Sequence, residues 1–260
     1  LDVPSSCKSP HEMVGVLVKT YYAEKNNIDP KDIVMVSIMP CTAKKAEAAR
    51  GELNKDGLAD VDHVLTTREL ARMFMEASID FRKLPDDEFD DLLGESTGAA
   101  AIFGTTGGVI EAATRTAYEM ITGKELKEVN FKQLRGIEGI REAKVQIGDL
   151  ELNIGIAHGL GNARKLLEDI RDGKSKFHAI EIMACPGGCI GGGGQPYHHG
   201  HTEVLLKRQI ALYNLDESMP KRKSHENEML IKLYDEYLGT PGGHLSHQLL
   251  HTTYSPKERI

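Results

Sequence analysis

The sequence lacks a basic excess, a long apolar run and a dense set of cysteines, and each lack removes a class of function. A formal net charge of −7 over 260 residues leaves no general basic face for nucleic acid. No stretch approaches the ~20 apolar residues that a membrane span requires. Low-complexity tracts are absent, and 40 % hydrophobic residues are enough for the core of one large domain or two lobes. No initiator methionine, signal peptide or targeting segment stands at Leu1, so the sequence reads as a fragment or processed product. The four cysteines, at positions 7, 41, 185 and 189, are too few for a disulfide framework at this length. Metal or redox chemistry is the better reading.

What is present concentrates at 181–196, EIMACPGGCIGGGGQP. Two thiols lie four positions apart, and six of the eight residues 187–194 are glycine. Glycine is costly in any regular element. Here it lets backbone N–H groups come close to an anionic ligand held by the sulfurs.

In chain order, a Ser9-Pro10 helix start leads into a helix to about Glu24, with Met13, Val14, Leu17, Val18 and Tyr21 on one face. The run 33–38 predicts a strand buried on both faces, ending in Met39-Pro40-Cys41. Asp62 to Leu65 predicts a second strand, and Thr66 or Thr67 caps a helix over 68–76. Residues 80–95 are acidic and expected to be exposed. Gly98 to Met120 passes from small residues into a helix. Lys144–Ile147 and Leu150–Ala157 read as strands joined at Gly148-Asp149. A helix over 161–171 leads to a strand over 177–183 that feeds the Cys185 loop. Strands alternating with helices imply an α/β fold with parallel sheets. From about Thr202 onward only helices are expected, over 203–219, 225–238 and 243–251, as an appendage.

Cys41, Cys185 and Cys189 each follow an apolar strand and a methionine, which makes them the candidate ligands. Zinc could use a C-x-x-x-C pair but needs no glycine run. An iron–sulfur cluster can use one, because its sulfurs accept N–H hydrogen bonds. Cys7 is the obvious fourth thiolate, but it has no glycine setting. Lys44 and Lys45 are either a solvated basic turn or, in one case, a cation beside an anionic cluster. His198, His199 and His201 match no familiar ligand spacing.

The stretches MPCTAKKAE (39–47) and MACPGGCIGGGGQP (183–196) resemble the second and third cluster-binding signatures of the FeFe-hydrogenases. Further likeness runs through CKSPHEMVG (7–15), TTREL (66–70), GESTGAAAIFGTTGGVIEAA (94–113), RGIEGIREA (135–143), KRKSHEN (221–227) and GHLSHQLLHTTY (243–254). The resemblance implies two lobes with parallel β-sheets flanked by helices over residues 1–202, and a small-subunit-like helical segment over 203–260. It implies a catalytic H-cluster: a 4Fe-4S cubane joined to a two-iron subsite with carbonyl, cyanide and dithiolate ligands. Cys41, Cys185 and Cys189 would be three of its thiolates, with Cys189 also bridging to the two-iron subsite. Gly187 and Gly188 would approach the cofactor, and Lys44 would donate to a cyanide. Met39, Met183 and Phe103 would line the pocket, and Ser5 would join the proton relay.

The partners implied are dihydrogen and protons, an electron carrier such as ferredoxin, and maturation factors. The fused tail resembles cytoplasmic members of the family. The first cysteine signature is absent, so the chain alone is expected to be inactive, and His11 stands where many members carry Gln. A hydrogen sensor, an iron–sulfur assembly scaffold and a plain zinc protein remain the alternatives.

Overall fold

A proline at its first position and an extended Ser9 before it start helix α1 (Pro10–Leu17). The computed structural model describes residues 3–256 apart from 56, 91 and 93. Helix α1 runs through a π-helical turn (Val18–Tyr22) into α2 (Ala23–Lys25). The Ser9 hydroxyl does not cap it but donates to the Glu47 carboxylate at 2.9 Å.

Strand β1 (Val36–Met39) leads through Cys41 into α3 (Ala43–Ala48), and a small hairpin follows, β2 (Asn54–Lys55) and β3 (Leu58–Ala59). Strand β4 (His63–Thr66) pairs in parallel with β1, Met39 opposite Thr66. Helix α4 (Thr67–Glu76) opens on a capping box between Thr66 and Glu69, a device worth about 1 kcal/mol.

Strand β1 is not buried on both faces. Ser37 points inward and meets the His11 ring from α1, while Val36 and Ile38 are 45 % and 41 % exposed. Strand side chains alternate, and in this two-stranded sheet α1 covers the Ser37 side. An apolar run therefore need not mean two covered faces. Residues 81–90 are exposed, as their acidity predicts.

Helices α5 (Gly98–Ile102) and α6 (Gly108–Thr122) open the second compact unit, residues 94–229. Strands β5 (Ile140–Ile147) and β6 (Leu150–His158) form an antiparallel hairpin turning at Gly148, whose φ is 58°. Helix α7 (Leu160–Arg171) then crosses over to β7 (Ala179–Met183), which lies parallel to β6. This sheet, in the order β5-β6-β7, is mixed and not parallel. A two-residue turn can join only antiparallel neighbours, whereas the helical crossover allows a parallel one. The core of the unit is Leu134, Val145, Ile147, Ile154 and Ile156, with Ile110, Ala117 and Tyr118 of α6 packed on it.

Helix α8 (Thr202–Ser218) belongs to this second unit, where its Tyr213 joins Ala99, Ile102 and Ala112. From residue 230 the chain is part of the first unit again, through α9 (Glu228–Leu233) and α10 (His244–Leu250). Leu233, Leu238 and Leu249 pack there against Val16 and Leu17. The helical tail expected from composition is thus shared between the two units.

Candidate functional site

In the first unit, β1 delivers Met39 and a half-buried Cys41 to the turn before α3. The two lysines that follow have different partners. Lys45 donates to the Glu69 carboxylate at 3.0 Å on the surface. Lys44 donates to Glu47 Oε2 at 2.6 Å, within a partly buried pair. Burial opposes ionisation of Glu47, but hydrogen bonds from His11, Lys44 and Ser9 outweigh it and bring its pKa down to about 2. The Lys44 ammonium is therefore held against a fixed anion.

In the second unit, β7 delivers Met183 and then the loop that carries Cys185 and Cys189, both half-buried. That loop is clamped at its backbone. The Gly187 N–H donates to Nδ1 of the buried His158 at 2.9 Å. The Thr106 N–H donates to the Gly187 carbonyl, and the Ile190 N–H to the Gly104 carbonyl, both at 3.0 Å. Gly188 has φ 93°, and a Cβ there would stand 2.7 Å from Thr106 N and 3.0 Å from Gly104 O. The segment 104–106 thus backs directly onto the cysteine loop.

Behind it, the buried Glu181 carboxylate accepts the N–H groups of Gly107 and Ile110 at 2.5 and 2.8 Å, fixing the start of α6. Arg208 of α8 donates to the Ile190 and Pro196 carbonyls at 2.7 and 2.9 Å, bracketing the glycine run. Phe103, half-buried at the end of α5, packs with Ala99, Ile102 and Tyr213.

His158 and Arg208 carry no local motif, and Thr106 and Glu181 lie in stretches that the sequence singles out without marking them as site residues. His158 had one available signal: it ends β6 as Met183 ends β7, and the two lie opposite each other. Burial and then the charge of Arg141 push the His158 pKa below its ordinary value. The ring is neutral and its Nδ1 is free to accept. Because the folded value is depressed, this contribution to stability is present above the ordinary histidine value of ~6.5 and is lost as the pH falls below it. Hydrogen exchange should accordingly show the Gly187 amide losing protection as the pH is lowered through that range. In a His158→Phe protein the protection should be low throughout.

Ser5 is exposed, and among the described residues its hydroxyl accepts the Cys7 N–H, at 3.2 Å. Its neighbour Ser6 is the one that meets a side chain, His251 Nδ1 at 2.8 Å. Cys7 is exposed, with Sγ 3.9 Å from His251 Nε2. Among the described residues, His198, His199 and His201 take part in no group of three metal-ligand side chains.

Soft thiolates, none of them in a disulfide, beside backbone where no Cβ can stand, fit an iron–sulfur cluster. Among the described residues no helix is long and apolar enough to cross a membrane.

Comparison with known proteins agrees with this chemistry. The family described as iron only hydrogenase large subunit, C-terminal domain, matches residues 1–193, and iron hydrogenase small subunit matches residues 202–257. The NADP-reducing hydrogenase subunit HndD of Solidesulfovibrio fructosivorans is 58 % identical over 260 residues, 100 % of this chain and 44 % of its own length. Iron hydrogenase 1 of Clostridium pasteurianum is 46 % identical over 254 residues, 96 % of this chain and 44 % of its own. The chain therefore spans less than half of these relatives. The solved structure of an FeFe-hydrogenase HydA1 variant from Chlamydomonas reinhardtii aligns with a TM-score of 0.81 and 45 % identity, over 96 % of this chain and 70 % of that one. A match over residues 1–193, continued by a second over 202–257, means that the chain belongs to the iron-only hydrogenase family, joining the C-terminal domain of the large subunit to a small-subunit segment.

Proposed function

We propose that the full-length protein interconverts dihydrogen with protons and electrons at an H-cluster held by Cys41, Cys185 and Cys189. The observation that carries this reading is the backbone clamp on the Cys185–Cys189 loop, which fixes both cysteines and packs Gly188 against segment 104–106 with no space for a Cβ. When bound, the cluster supplies the redox chemistry and the two-iron subsite at which dihydrogen is handled.

The chain's own residues hold and surround that group. Cys41, Cys185 and Cys189 would hold the cubane, with Cys189 the thiolate shared with the two-iron subsite. Gly187 and Gly188 let the backbone approach. Lys44, oriented by Glu47, would donate to a cyanide. Met39, Met183 and Phe103 exclude water, and the hydroxyl of Ser5 moves protons beside that of Ser6. A ferredoxin-like carrier supplies electrons, and maturation factors install the two-iron subsite. The small-subunit match favours a cytoplasmic protein. The periplasmic large subunit of Nitratidesulfovibrio vulgaris aligns over only 209 residues, 80 % of this chain.

The rival is an assembly scaffold, since a cytosolic iron–sulfur cluster assembly factor of Xenopus tropicalis is 31 % identical over 262 residues. Lys44, Met39, Met183 and Phe103 would have no task in a protein with a cubane alone. Infrared spectra of the matured full-length protein test the choice. Bands of metal-bound carbonyl and cyanide are expected, and their absence after maturation would favour the scaffold. Given those bands, turnover separates an enzyme from a hydrogen sensor.

A further inference from the structure

Behind Lys44 the first unit buries two further titratable side chains next to Glu47, and neither has a task in the reading above. His11 and Glu12 lie in the first turn of α1, and Glu47 lies near the end of α3. The His11 ring is buried, with Nδ1 3.0 Å from Ser37 Oγ. Its Nε2 faces both carboxylates, 3.1 Å from Glu12 Oε1 and 3.1 Å from Glu47 Oε2.

The two acids differ sharply in their surroundings. Glu47 Oε2 receives Lys44 and Ser9 and lies 3.1 Å from His11 Nε2. Glu12 is 0 % exposed, and among the described residues neither of its oxygens receives a hydrogen bond. A carboxylate wholly buried without a donor is costly as an anion and takes up a proton instead.

We propose that this triad is a proton-holding site: Glu12 is its neutral acid, His11 Nε2 exchanges the proton with it, and ionised Glu47 anchors Lys44. At rest the His11 ring carries its proton on Nδ1, donated to Ser37, and Nε2 is unprotonated. In the exchange the Glu12 O–H bond breaks and an Nε2–H bond forms, and only then does Nε2 donate to Glu47. An imidazolium is left between two carboxylates, with Nδ1–H donated to Ser37. No other reactant is needed.

The charges facing Glu12 are those of His11, Glu47, Asp60 and Lys8. Lys8 is engaged by Asp60 at 2.6 Å and so brings little net positive charge. Burial, reinforced by Glu47 and Asp60 against the opposing His11 and Lys8, pushes the Glu12 pKa up to about 7. An acid with that value both gives and accepts protons near neutral pH. The site itself stands on the geometry of the first unit. Only its use, to supply and take up protons for dihydrogen turnover, rests on the proposed function.

The three donor atoms lie within 4.8 Å of one another, which a divalent cation could span. However, Glu47 Oε2 already accepts from two donors, one of them an ammonium group, and this favours the proton.

Infrared pH titration of the full-length protein, before and after maturation, tests the site separately from the function. Expected is a protonated carboxylic-acid carbonyl band at neutral pH that fades with a midpoint near 7 and is missing in Glu12→Gln but present in Glu47→Gln. In Glu12→Asp, which guards against a Gln variant that fails to fold, the band should move and not vanish. A wild-type spectrum without the band at mildly acidic pH, or a band unchanged in Glu12→Gln, would overturn the proposal. So would stoichiometric zinc binding that Glu12→Gln abolishes.

Discussion

Gly188→Ala is expected to destabilise the second unit by about 3–5 kcal/mol and to leave the full-length protein unable to load its cluster. Two costs combine. The backbone at Gly188 has φ 93° and ψ −153°, a region that residues with a Cβ scarcely occupy. The new methyl group would also stand 2.7 Å from Thr106 N, 2.9 Å from Thr105 C and 3.0 Å from Gly104 O. All three are backbone atoms. Moving them breaks the hydrogen bonds from Thr106 N to Gly187 O and from Ile190 N to Gly104 O, which set the spacing of Cys185 and Cys189.

Gly187→Ala is the internal control. Its φ is 75°, but a Cβ there would meet only side-chain atoms, none nearer than 3.5 Å. It should cost only about 1–2 kcal/mol. Urea denaturation and iron analysis of both variants check the pair. A Gly188→Ala protein as stable and as iron-loaded as the wild type would show that the clamp does not position the cysteines.

Arg115→Met should cost about 3–5 kcal/mol, for a different reason. The Arg115 guanidinium is fully buried and all of its nitrogens are engaged. Nη1 and Nη2 meet the two oxygens of Asp216 at 2.8 Å each, Nη2 also meets Glu111 at 2.8 Å, and Nε meets the Val129 carbonyl at 2.9 Å. Burial opposes ionisation of Asp216, but its bonds to Arg115 and then Arg222 hold the carboxyl below its usual range. Without Arg115, Arg222 and Arg135 still reach Asp216 and Glu111, but two buried anions share less positive charge. A second change, Asp216→Leu, should restore part of the loss, because an absent pair costs less than a broken one. Asp216 lies on α8 and Arg115 on α6, so this network fixes the start of the small-subunit segment to the large-subunit domain. Melting curves of the single and double variants measure the coupling.

Much of this is legible in the chain because it is written locally. The turn at Gly148 and the capping box at Thr66 depend on residues within a few positions of each other. So does the passage from β1 and β7 into cysteine loops. What the sequence conceals depends on distant partners. The bond from Gly187 to His158 spans 29 residues and that from Glu181 to Gly107 spans 74, and such separations leave no periodic trace. Ser37 interrupts an apolar run and reads as an exception, yet it marks the covered face because His11 awaits it there. The expectation of parallel sheets fails at the β5–β6 hairpin, although its turn is itself readable. The motif points to Ser5, but the motif alone does not say that the Ser5 hydroxyl meets backbone and the Ser6 hydroxyl a side chain.

Three thiolates sharing one cluster are central to the proposed function. The most direct test replaces Cys41, Cys185 and Cys189 with alanine, one at a time, in the reconstituted full-length protein, and measures iron, sulfide and the cubane's spectroscopic signal. Loss of that signal in Cys41→Ala as complete as in Cys185→Ala is the predicted result. A Cys41→Ala protein that keeps wild-type iron, sulfide and spectrum would contradict it.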